Sequence, residues 1–386
     1  MNYWIVKGAK KMPKVRLGNV VERIRDKVDK DNTSLEYYIG GEHFDNGEIC
    51  ISKKGVLKGS TIGPAFHMRF MPGDVLLMSR NPHLRKAGVV DFEGICSDVS
   101  YVCRTKDEQV LLQRYLPFIF QTDHFWDFAE SNKKGSTNFF LNWSDFERYE
   151  FELPGIEVQK KATELLWAAT DTKYSYIKLL DQTDELVKSQ FIEMFGDPIE
   201  NDRGWKTEPL SEVAPVTVAD IPEAEEYWWL NLDMIEPNSG RLLEKIWAKA
   251  EDIGKSTTTF DDSMVLYSKL RPYLNKVIVP NGYGYATTEL VTLKPDKNKL
   301  NKYFLSSLLR GDEFVKYAND ISGGAQMPRM PMKTLRKFPC ILPPSELQEK
   351  FVKFAESSEE SKKEIVQSIE SINSLVKAMM NQLQLE

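Results

Sequence analysis

Short apolar runs bounded by turn residues recur along two stretches of this chain and predict strands. Residues 73–79 and 263–269 place β-branched and other apolar residues beside glycine, aspartate or serine, a pattern typical of buried strands. Residues 95–104 and 285–294 alternate partially between apolar and polar positions and predict further strands. Each stretch is therefore expected to form a block with a mostly β core. Apolar positions at helical spacing predict one helix in each block, over 111–130 and 302–319.

Two segments of helical pattern follow Pro154 and the pair Pro343–Pro344. Neither contains a Gly or Pro once the helix has begun, and Gly196 followed by Pro198 gives the first a stop signal. At 1.5 Å per residue, about 39 residues would form a helix of roughly 58 Å. Residues recur with spacings of four and three, as in a heptad seam. The predicted seam positions are Val158, Ala162, Leu165, Ala169, Thr172, Tyr176, Leu179, Thr183 and Leu186, then Leu347, Phe351, Phe354, Ser358, Ser361, Ile365, Ser368, Ile372, Leu375 and Met379.

These two helices are expected to pack on each other, because each has an apolar stripe that needs a partner. Equal repeats joined head to tail suit an antiparallel coiled coil with one globular block at each end. The alternative is two helices that each lie along their own block.

The two halves of the chain repeat each other at an offset of 189 or 190 residues. The predicted architecture is therefore α+β with a pseudo-twofold internal repeat: a first block at 1–152, a central helix at 153–198, a second block at 199–342 and a C-terminal helix at 343–386. The matches include Val75-Leu76-Leu77 with Val265-Leu266-Tyr267, Asn81-Pro82-His83-Leu84 with Arg271-Pro272-Tyr273-Leu274, Lys86 with Lys276, Asp123 with Asp312, and Leu186-Val187-Lys188 with Leu375-Val376-Lys377.

Composition narrows the class of protein. No run of about 18 uncharged apolar residues is present, so a membrane span is not expected. The N-terminal residues 1–13 lack the apolar core of a secretory signal. The net charge of −6 arises mainly in the two helical segments, whereas the larger blocks are close to neutral. Cytoplasmic localisation and no zinc site are expected, because four cysteines without CxxC spacing indicate reduced, buried thiols: Cys50, Cys96, Cys103 and Cys340.

The second half of the first long helix, residues 186–198, has the sequence LVKSQFIEMFGDP, which resembles the central helical segment of type I restriction-modification specificity subunits. The openings of the two helical segments, Leu153-Pro154 with Gln159 and Leu342-Pro343-Pro344 with Gln348, are similar to that family as well. The layout of recognition domain, spacer helix, second recognition domain and second spacer helix also resembles it, from about Lys14 to the C-terminus. The opening of the first block matches that of the second only weakly.

This resemblance implies a DNA-binding subunit with two α+β target-recognition domains. Each domain would bind one half of a split DNA sequence, and the spacer helices would fix the distance between the halves. The helices would also dock methyltransferase subunits, two of them, and the complex would recruit restriction subunits. S-adenosylmethionine, ATP and magnesium are expected only in those partner subunits, and no cofactor in this chain.

Catalytic motifs are missing from the sequence. Asn81-Pro82-His83-Leu84 lacks the second proline and the aromatic residue of an adenine methyltransferase motif, and no Gly-x-x-x-x-Gly-Lys-Ser/Thr loop is present. Asp261-Asp262 is a lone acidic pair of the kind usual in solvated turns. A non-catalytic subunit is therefore expected. The alternatives are a coiled-coil scaffold that binds proteins without DNA specificity, and an enzyme with an unrecognised site.

A proline turn in each block is the first candidate for DNA contact. Arg and Asn are the side chains that bind guanine and adenine through two hydrogen bonds in the major groove. An ordinary exposed hairpin is the alternative. The candidates are Arg69, Ser79, Arg80, Asn81, His83, Arg85 and Lys86 in the first block, and Lys269, Arg271, Tyr273, Asn275 and Lys276 in the second.

A glycine-containing loop is the second candidate, at 133–138 in the first block and 323–329 in the second. Glycine lets a backbone approach another molecule closely, and polar side chains supply donors to phosphates and bases. A turn that only closes each block is the alternative. The candidates are Lys133, Lys134, Ser136 and Asn138, then Gln326 and Arg329.

Three aromatic residues of the first helix are candidates for partner docking, because aromatic residues often dominate protein interfaces. They are Trp167, Tyr174 and Phe191. The alternative is that they pack against the recognition blocks.

Overall fold

The computed structural model describes residues 12–136, 138–323 and 326–382. Residues 1–11, which make up most of the segment considered for a secretory signal, lie outside the described residues, as do Thr137 of the first glycine loop, Gly324 and Ala325 of the second, and 383–386. The chain divides into two compact units. Unit 1 contains the residues up to Ser175 together with those from Ser368 onward, and unit 2 contains Tyr176–Gln367.

In its described residues, the first half contains ten strands and ends in a long helix. Its elements are β1 (Lys14–Arg16), α1 (Leu17–Val20), β2 (Val21–Ile24), β3 (Tyr37–Ile39), β4 (Gly55–Val56), β5 (Phe66–Phe70), β6 (Val75–Met78), β7 (Ala87–Val89), β8 (Gly94–Ser97), β9 (Ser100–Thr105), α2 (Leu116–Ile119), α3 (Asp123–Ser131), α4 (Trp143–Phe146), β10 (Glu150–Glu152) and α5 (Ile156–Phe195), with 3-10 turns at Gly41–His43 and Pro82–Leu84.

The second half repeats this order, except that no strand among its described residues corresponds to β2. Its elements are β11 (Thr207–Pro209), α6 (Leu210–Val213), β12 (Tyr227–Leu230), β13 (Ile246–Ala248), β14 (Thr257–Phe260), β15 (Val265–Ser268), β16 (Val277–Ile278), β17 (Gly284–Thr287), β18 (Leu290–Leu293), α7 (Lys302–Arg310), α8 (Asp312–Asp320), α9 (Met332–Lys337), β19 (Pro339–Ile341) and α10 (Ser345–Gln382), with 3-10 turns at Leu232–Met234 and Pro272–Leu274.

Each half has two main sheets that repeat in topology and register. The first half has the orders β2-β9-β6-β7 and β4-β3-β8-β5, and the second has β16-β15-β18 and β13-β12-β17-β14. Val75 pairs with Cys103 in one half, and Val265 pairs with Leu293 at the same offset in the other. Among these sheets, β3 with β8 and β12 with β17 are the parallel pairs between named strands. The predicted internal repeat is therefore confirmed in three dimensions.

The predicted strands exist, but two of the predicted segments each fold into two strands. All four residues of both β6 and β15 are buried, as their unbroken apolar runs predict. Segment 95–104 instead contains most of β8 and β9, which belong to different sheets, and segment 285–294 divides in the same way into β17 and β18. Polar residues at 98 and 288–289 interrupt the pattern at this corner.

The prediction of one helix in each block is wrong, because each of those segments contains two. In the first block the Thr122 hydroxyl accepts a hydrogen bond from the backbone N–H of Phe125 at 3.2 Å, so Thr122 caps a new helix, α3. In the second block Gly311 takes an extended conformation between α7 and α8. A cap and a glycine therefore break the apolar periodicity.

Both long helices lie where the sequence predicts them, and the motif glutamines fix their starts. Gln159 is fully buried; its side-chain oxygen accepts from the Leu112 N–H at 3.0 Å, and its amide donates to the carbonyls of Val110 and Pro154 at 2.9 and 2.7 Å. Gln348 does the same with the Asn301 N–H and with the Lys299 and Pro343 carbonyls. Each glutamine therefore ties the first turn of a long helix to its own block.

Each unit contains opposite ends of the two long helices. In unit 2, Asp184 of α5 pairs with Lys362 of α10 at 2.7 Å, and Phe191 meets Phe351 with ring centroids 5.4 Å apart. Residue numbers rise along α5 while those of their partners fall along α10, so these segments run antiparallel. In unit 1, Met380 of α10 is buried in the core cluster that also contains Leu166 of α5.

The predicted heptad seam is only partly buried. Ala162, Phe351, Ser358 and Ile365 are buried as predicted. Four leucine or valine positions of the predicted seam on α5 are at least two-fifths exposed, as is Leu375 of α10, and these positions were predicted wrongly. A seven-residue repeat drifts by about 20° per heptad around a straight helix. Leu166, next to a predicted seam position, is buried in the core of the first block, so the inner face of α5 also packs against that block. The exposed α5 positions are Val158, Leu165, Leu179 and Leu186.

The four cysteines lie in or near the interior of the protein. Cys96, Cys103 and Cys340 are buried, Cys50 is half-buried, and all four thiols are free. In the part of the chain that the structure describes, no helix is long and apolar enough to cross a membrane. Within the same residues, no group of three His, Cys, Asp or Glu side chains could hold a metal ion.

Candidate nucleic-acid interface

The two proline turns have the same unusual backbone. Asn81 and Arg271 each precede the proline with φ of 50°, and Arg85 and Asn275 follow the turn with φ of 50° and 47°. Left-handed conformations are uncommon outside glycine, and Asn accommodates them better than Arg. Two such residues around a buried proline create a compact bend at the end of β6 and of β15. Backbone strain of this kind is often found at functional sites.

The glycine loop of each block is hydrogen-bonded to its proline turn. In the first half the Asn81 N–H donates to the Phe139 carbonyl at 2.9 Å, and the Leu141 N–H donates to the Ser79 carbonyl at 2.9 Å. In the second half the Arg271 N–H donates to the Pro328 carbonyl at 2.7 Å, and the Met330 N–H donates to the Lys269 carbonyl at 2.8 Å. The two segments that the sequence identifies separately are thus joined in each half. We call residues 79–86 with 133–136 and 138–141 the first interface, and 268–276 with 323 and 326–330 the second interface.

Glycine is required at one position of the first loop. Gly135 has φ of 93°, and a Cβ atom there would lie 2.8 Å from the Asn138 carbonyl oxygen. A side chain would therefore be both strained and in steric conflict. The loop turns back so that Lys134 and Phe140 exchange backbone hydrogen bonds at 2.8 and 3.0 Å.

A few polar or aromatic side chains are exposed on each interface. In the first interface these are Arg80, His83, Ser136 and Asn138, none of which has an ion pair within the described residues. In the second they are Tyr273, which is 49% exposed, Gln326 and the ion-paired Arg329. Asn81 and Arg271 are partly buried at the entry of each turn. Arg, Asn, Gln and His can donate hydrogen bonds to base edges or phosphates, and Tyr can contact either.

Several predicted contact residues instead bond within the protein. Ser79 is buried and donates to the Val99 carbonyl at 2.7 Å, and Asn275 is buried and donates to the Arg310 carbonyl at 2.9 Å. The prediction that these two side chains are available for DNA contact is wrong, because neither reaches the surface. Lys269 donates to the Thr288 carbonyl at 2.7 Å.

The repeat-related lysines have the same structural role in both halves. Lys86 donates to the Gly41 carbonyl at 2.6 Å, and Lys276 donates to the Leu232 carbonyl at 2.6 Å. Both acceptors belong to the 3-10 turn that follows β3 or β12. Burial lowers the pKa of Lys276, and nearby Asp233 opposes that shift. These ammonium groups therefore join the proline turn to the second sheet of each half.

Other basic candidates form ion pairs at the edge of the interfaces. Lys133 lies 2.6 Å from Glu130 and 4.3 Å above the Phe139 ring, and Arg329 lies 3.1 Å from Glu289. Arg69 is on β5, in the other sheet, and pairs with Glu93 at 3.3 Å. Arg85 is half exposed and pairs with Asp123 of α3.

Burial and ion pairing act in opposite directions on the pKa of Asp145, the partner of Lys134. It lies 2.8 Å from Asp145, whose carboxylate is almost fully buried. Burial raises the pKa of Asp145, but the hydrogen bonds from Lys134 and the Asn142 backbone outweigh it and hold the pKa below its usual value. Asp145 therefore remains ionised at neutral pH and holds the base of the first glycine loop.

The three aromatic docking candidates pack inside their own units. Trp167 is buried against Phe118 and donates to the Arg114 carbonyl at 2.8 Å. Tyr174 donates to Glu48 at 2.8 Å, and Phe191 is buried in the unit 2 core. The structure thus favours packing against the blocks, because none of these rings presents an exposed anchor.

The candidate residues identified from the sequence do not include two acidic residues that hold side chains of the interfaces. Asp123 pairs with Arg85, and Glu289 pairs with Arg329, so each holds a cation of an interface. The match between Asp123 and Asp312 in the repeat was the available signal for the first. Glu289 is brought near the second loop by the β17–β18 corner, which the sequence pattern did not predict.

Known proteins share parts of this sequence and its fold. Residues 202–371 match the sequence family described as type I restriction modification DNA specificity domain. The specificity subunit of the type I restriction enzyme EcoDI from Escherichia coli is 23% identical over 125 residues, and that of EcoAI from the same organism is 24% identical over 164 residues. The matches cover 31% and 40% of this chain, and 28% of each relative.

Solved structures resemble the whole chain in fold. A chain from a study of complex assembly and conformational transition of the type I R-M system has a TM-score of 0.55 at 16% identity, over 97% of this chain and 98% of that one. The S subunit of a type I restriction-modification system from M. genitalium has a TM-score of 0.56 at 13% identity, over 98% of both chains. At such low identity these similarities concern the fold alone.

Proposed function

We infer that this chain, whose residues 202–371 belong to the family of type I restriction modification DNA specificity domains, is the DNA-recognition subunit of a type I restriction-modification complex. Specificity subunits of that family recognise DNA and are not themselves catalysts. The observation that carries the proposal is the presence of two interfaces built on one repeated scaffold. Both interfaces join a strained proline turn to a glycine loop through the same pair of backbone hydrogen bonds.

Each interface would contact one half of a bipartite duplex. The scaffold positions are shared, since the proline and the lysine that anchors the turn recur in both halves. The exposed or partly exposed positions differ: His83 corresponds to Tyr273, and Asn81 corresponds to Arg271. Asn pairs with adenine and Arg with guanine when each binds a base edge through two hydrogen bonds. Different side chains on one scaffold therefore support recognition of two different half-sites.

The long helices would set the distance between the half-sites and dock two methyltransferase subunits. Exposed apolar residues recur every seven positions or multiples of seven along α5, at 158, 165, 179 and 186, and each is 41–53% exposed. Apolar side chains at that spacing suit the packing of a partner helix. Restriction subunits would join through the assembled complex. S-adenosylmethionine, ATP and Mg²⁺ would be bound by the partner subunits.

Selection from a pool of random duplexes tests this function. The full chain, assembled with its methyltransferase subunits, is expected to enrich two short motifs separated by a fixed gap. Replacing His83 by Ala should relax the first motif and leave the second unchanged, and Tyr273→Ala should do the reverse. A failure of the wild-type complex to enrich any sequence would reject the proposal. Equal loss at both motifs from either variant would reject independent recognition by the two interfaces.

A further inference from the structure

Arg85 occupies a backbone conformation that its own side chain does not favour. It follows the first proline turn with φ of 50°, where the repeat-related residue is Asn275 with φ of 47°. Asn takes the left-handed conformation with little cost because its short polar side chain bonds locally, whereas Arg lacks that compensation. The scaffold therefore accommodates Asn better than Arg at this position. The presence of Arg calls for a reason other than the turn itself.

The Arg85 side chain is held by one carboxylate and otherwise has unused donors. Its Nη1 donates to Asp123 Oδ1, and no other hydrogen bond of this guanidinium is present among the described residues. The side chain is 41% exposed. A guanidinium has five N–H donors in a rigid plane, so a carboxylate that uses one of them restricts the plane and leaves the rest for a ligand. A planar group with restricted orientation binds a pair of acceptors at a lower entropic cost.

A lysine of the second long helix contacts the same carboxylate. Lys377 Nζ lies 3.6 Å from Asp123 Oδ2, so the two oxygens of Asp123 face two different cations. The hydrogen bond from Arg85 lowers the pKa of Asp123; burial opposes this, and Lys377 adds to the lowering. Asp123 is therefore ionised at neutral pH. The chain Arg85–Asp123–Lys377 links the proline turn to α10 within unit 1.

The second half retains the lysine–aspartate pair but lacks the arginine. Lys188 of α5 lies 2.9 Å from Asp312, the counterpart of Asp123 at the repeat offset. Asn275, the counterpart of Arg85, is buried and bonds the Arg310 carbonyl instead. The lysine–aspartate pair is thus common to both halves, whereas the arginine belongs to the first interface alone. Because Arg85 is the side chain that differs on this common scaffold, it is the residue suited to distinguish the two half-sites.

We propose that Arg85 is a specificity-determining contact for a guanine in the first half-site, and that Asp123 and Lys377 are positioning residues for its guanidinium. Guanine presents O6 and N7 as a pair of acceptors in the major groove, which matches two parallel N–H donors of arginine. This inference rests on the proposed DNA-recognition function and names one contact of that site. Asp123 and Lys377 act through Arg85 and do not touch the base.

The test compares Arg85→Asn, Asp123→Asn and Lys377→Met with the matched second-half variants Asp312→Asn and Lys188→Met. Arg85→Asn places in the first turn the residue that the second turn already has, so folding is expected to be retained. Each full-length variant is assembled with the methyltransferase subunits and measured against a random duplex pool and against duplexes altered at single base pairs. Thermal unfolding is measured in parallel.

Arg85→Asn is expected to reduce discrimination at one guanine of the first motif by roughly 5- to 140-fold, without a lower melting temperature. Asp123→Asn and Lys377→Met should reduce the same discrimination to a smaller extent. In the Arg85→Asn background, neither should change it further. Asp312→Asn and Lys188→Met should leave both motifs unchanged, because no arginine depends on them.

Three results would overturn the inference while leaving the proposed function intact. The first is a uniform loss of affinity across all sequences with a shallower salt dependence, which would place Arg85 on a phosphate. The second is an effect of Asp123→Asn on the first motif that persists without Arg85. The third is an equal effect of Asp312→Asn on the second motif. A wild-type complex that enriches no motif would instead reject the proposed function, and this inference with it.

Discussion

Most basic side chains of the two interfaces already have a partner within the protein. Lys86, Lys269 and Lys276 each donate to a backbone carbonyl, and Lys134 and Arg329 form ion pairs. A residue type that suits DNA contact suits these roles equally well, because an ammonium or guanidinium group is also a strong donor to carbonyl oxygens and carboxylates. The residues that remain exposed are fewer than the sequence predicts.

Replacement of Lys86 by Met tests the structural role of the repeated lysine. The change removes the bond to the Gly41 carbonyl and is expected to lower the free energy of unfolding by about 1.5–3 kcal/mol, the range for a hydrogen bond to a charged group. Urea denaturation measures the loss. Lys58→Met, at an exposed position, is the control and should change little. An equal effect of the two variants would show that the Lys86 bond contributes nothing particular.

The cysteines give a prediction for the dependence on pH. Burial raises the pKa of Cys50 to about 11 and those of Cys96 and Cys340 to about 12, so all three thiols are protonated at pH 8. Thiol reagents attack the thiolate. Labelling of the folded chain should therefore be slow at pH 8 and should accelerate as the pH rises, with the half-buried Cys50 first. Peptide mass spectrometry identifies the labelled residue, and rapid labelling of Cys96 at pH 8 would contradict the prediction.

At the scale of elements, the glutamine of each helix opening explains why a short motif recurs at two distant positions. Gln159 and Gln348 are both almost fully buried, and each satisfies one backbone N–H and two backbone carbonyls. Only an amide supplies one acceptor and two donors in that arrangement. The preceding prolines end the globular block, and the glutamine bonds back to it. The motif therefore fixes the direction in which each helix leaves its block.

Gln348→Met measures the value of this connection. Met has a similar volume but leaves three backbone groups without a partner, so we expect a loss of about 3 kcal/mol or more in the free energy of unfolding. Urea denaturation gives the difference. Gln182→Met, at an exposed position of α5, makes the same chemical change outside any such network. A loss below about 1 kcal/mol for Gln348→Met would argue against the anchoring role.

At the scale of the whole molecule, the last helix completes the core of the first unit. Met380 is 4% exposed and belongs to the core cluster that contains Trp126 and Leu166, and Val376 and Met379 pack against the same cluster. Folding of unit 1 therefore depends on residues more than two hundred positions away in sequence. Closing a loop of this length costs conformational entropy. This cost grows only slowly with the length of the intervening chain.

Met380→Ala is expected to destabilise unit 1 selectively. Truncation of a buried methionine costs about 2–5 kcal/mol. Hydrogen exchange should accelerate in β6 and β9 of unit 1, while β15 and β18 of unit 2 keep their protection. Leu375→Ala is the control, because Leu375 is 54% exposed on the same helix. Equal acceleration in both units would show that they unfold together rather than as separate units.

A lengthened first helix tests the spacer role. α5 is one helix of 40 residues, or about 60 Å at 1.5 Å per residue. Four inserted residues add about 6 Å, so the gap between the two motifs should grow by one or two base pairs. The same pool of random duplexes measures the gap, and a four-residue insertion in the loop at 250–255 is the control. An unchanged gap after insertion into α5 would show that the helix does not set the spacing.

Features that repeat within one segment of the chain were predictable from the sequence. Features that depend on contact between two distant segments were not. The long helices follow from uninterrupted spacing of four and three, and β6 and β15 follow from apolar runs between turn residues. The break between α2 and α3 was missed because the Thr122 side chain caps a new helix inside a segment whose apolar residues keep helical spacing on both sides. Among candidate contact residues, Arg80 and His83 are exposed as expected, whereas Ser79 and Asn275 are buried because their nearest acceptors are backbone carbonyls of other segments.

By itself, the sequence determined the duplication, the two long helices, the absence of known catalytic motifs and the pair of segments considered for DNA contact. Each of these depends on local periodicity, on matching residues at a fixed offset, or on a short motif. Tertiary structure alone decided that the proline turn and the glycine loop of each half join through backbone hydrogen bonds. It also decided which polar side chains stay exposed and which face of each helix is buried. Those outcomes depend on partners distant in sequence, and no pattern within one segment specifies the atom that another segment brings to it.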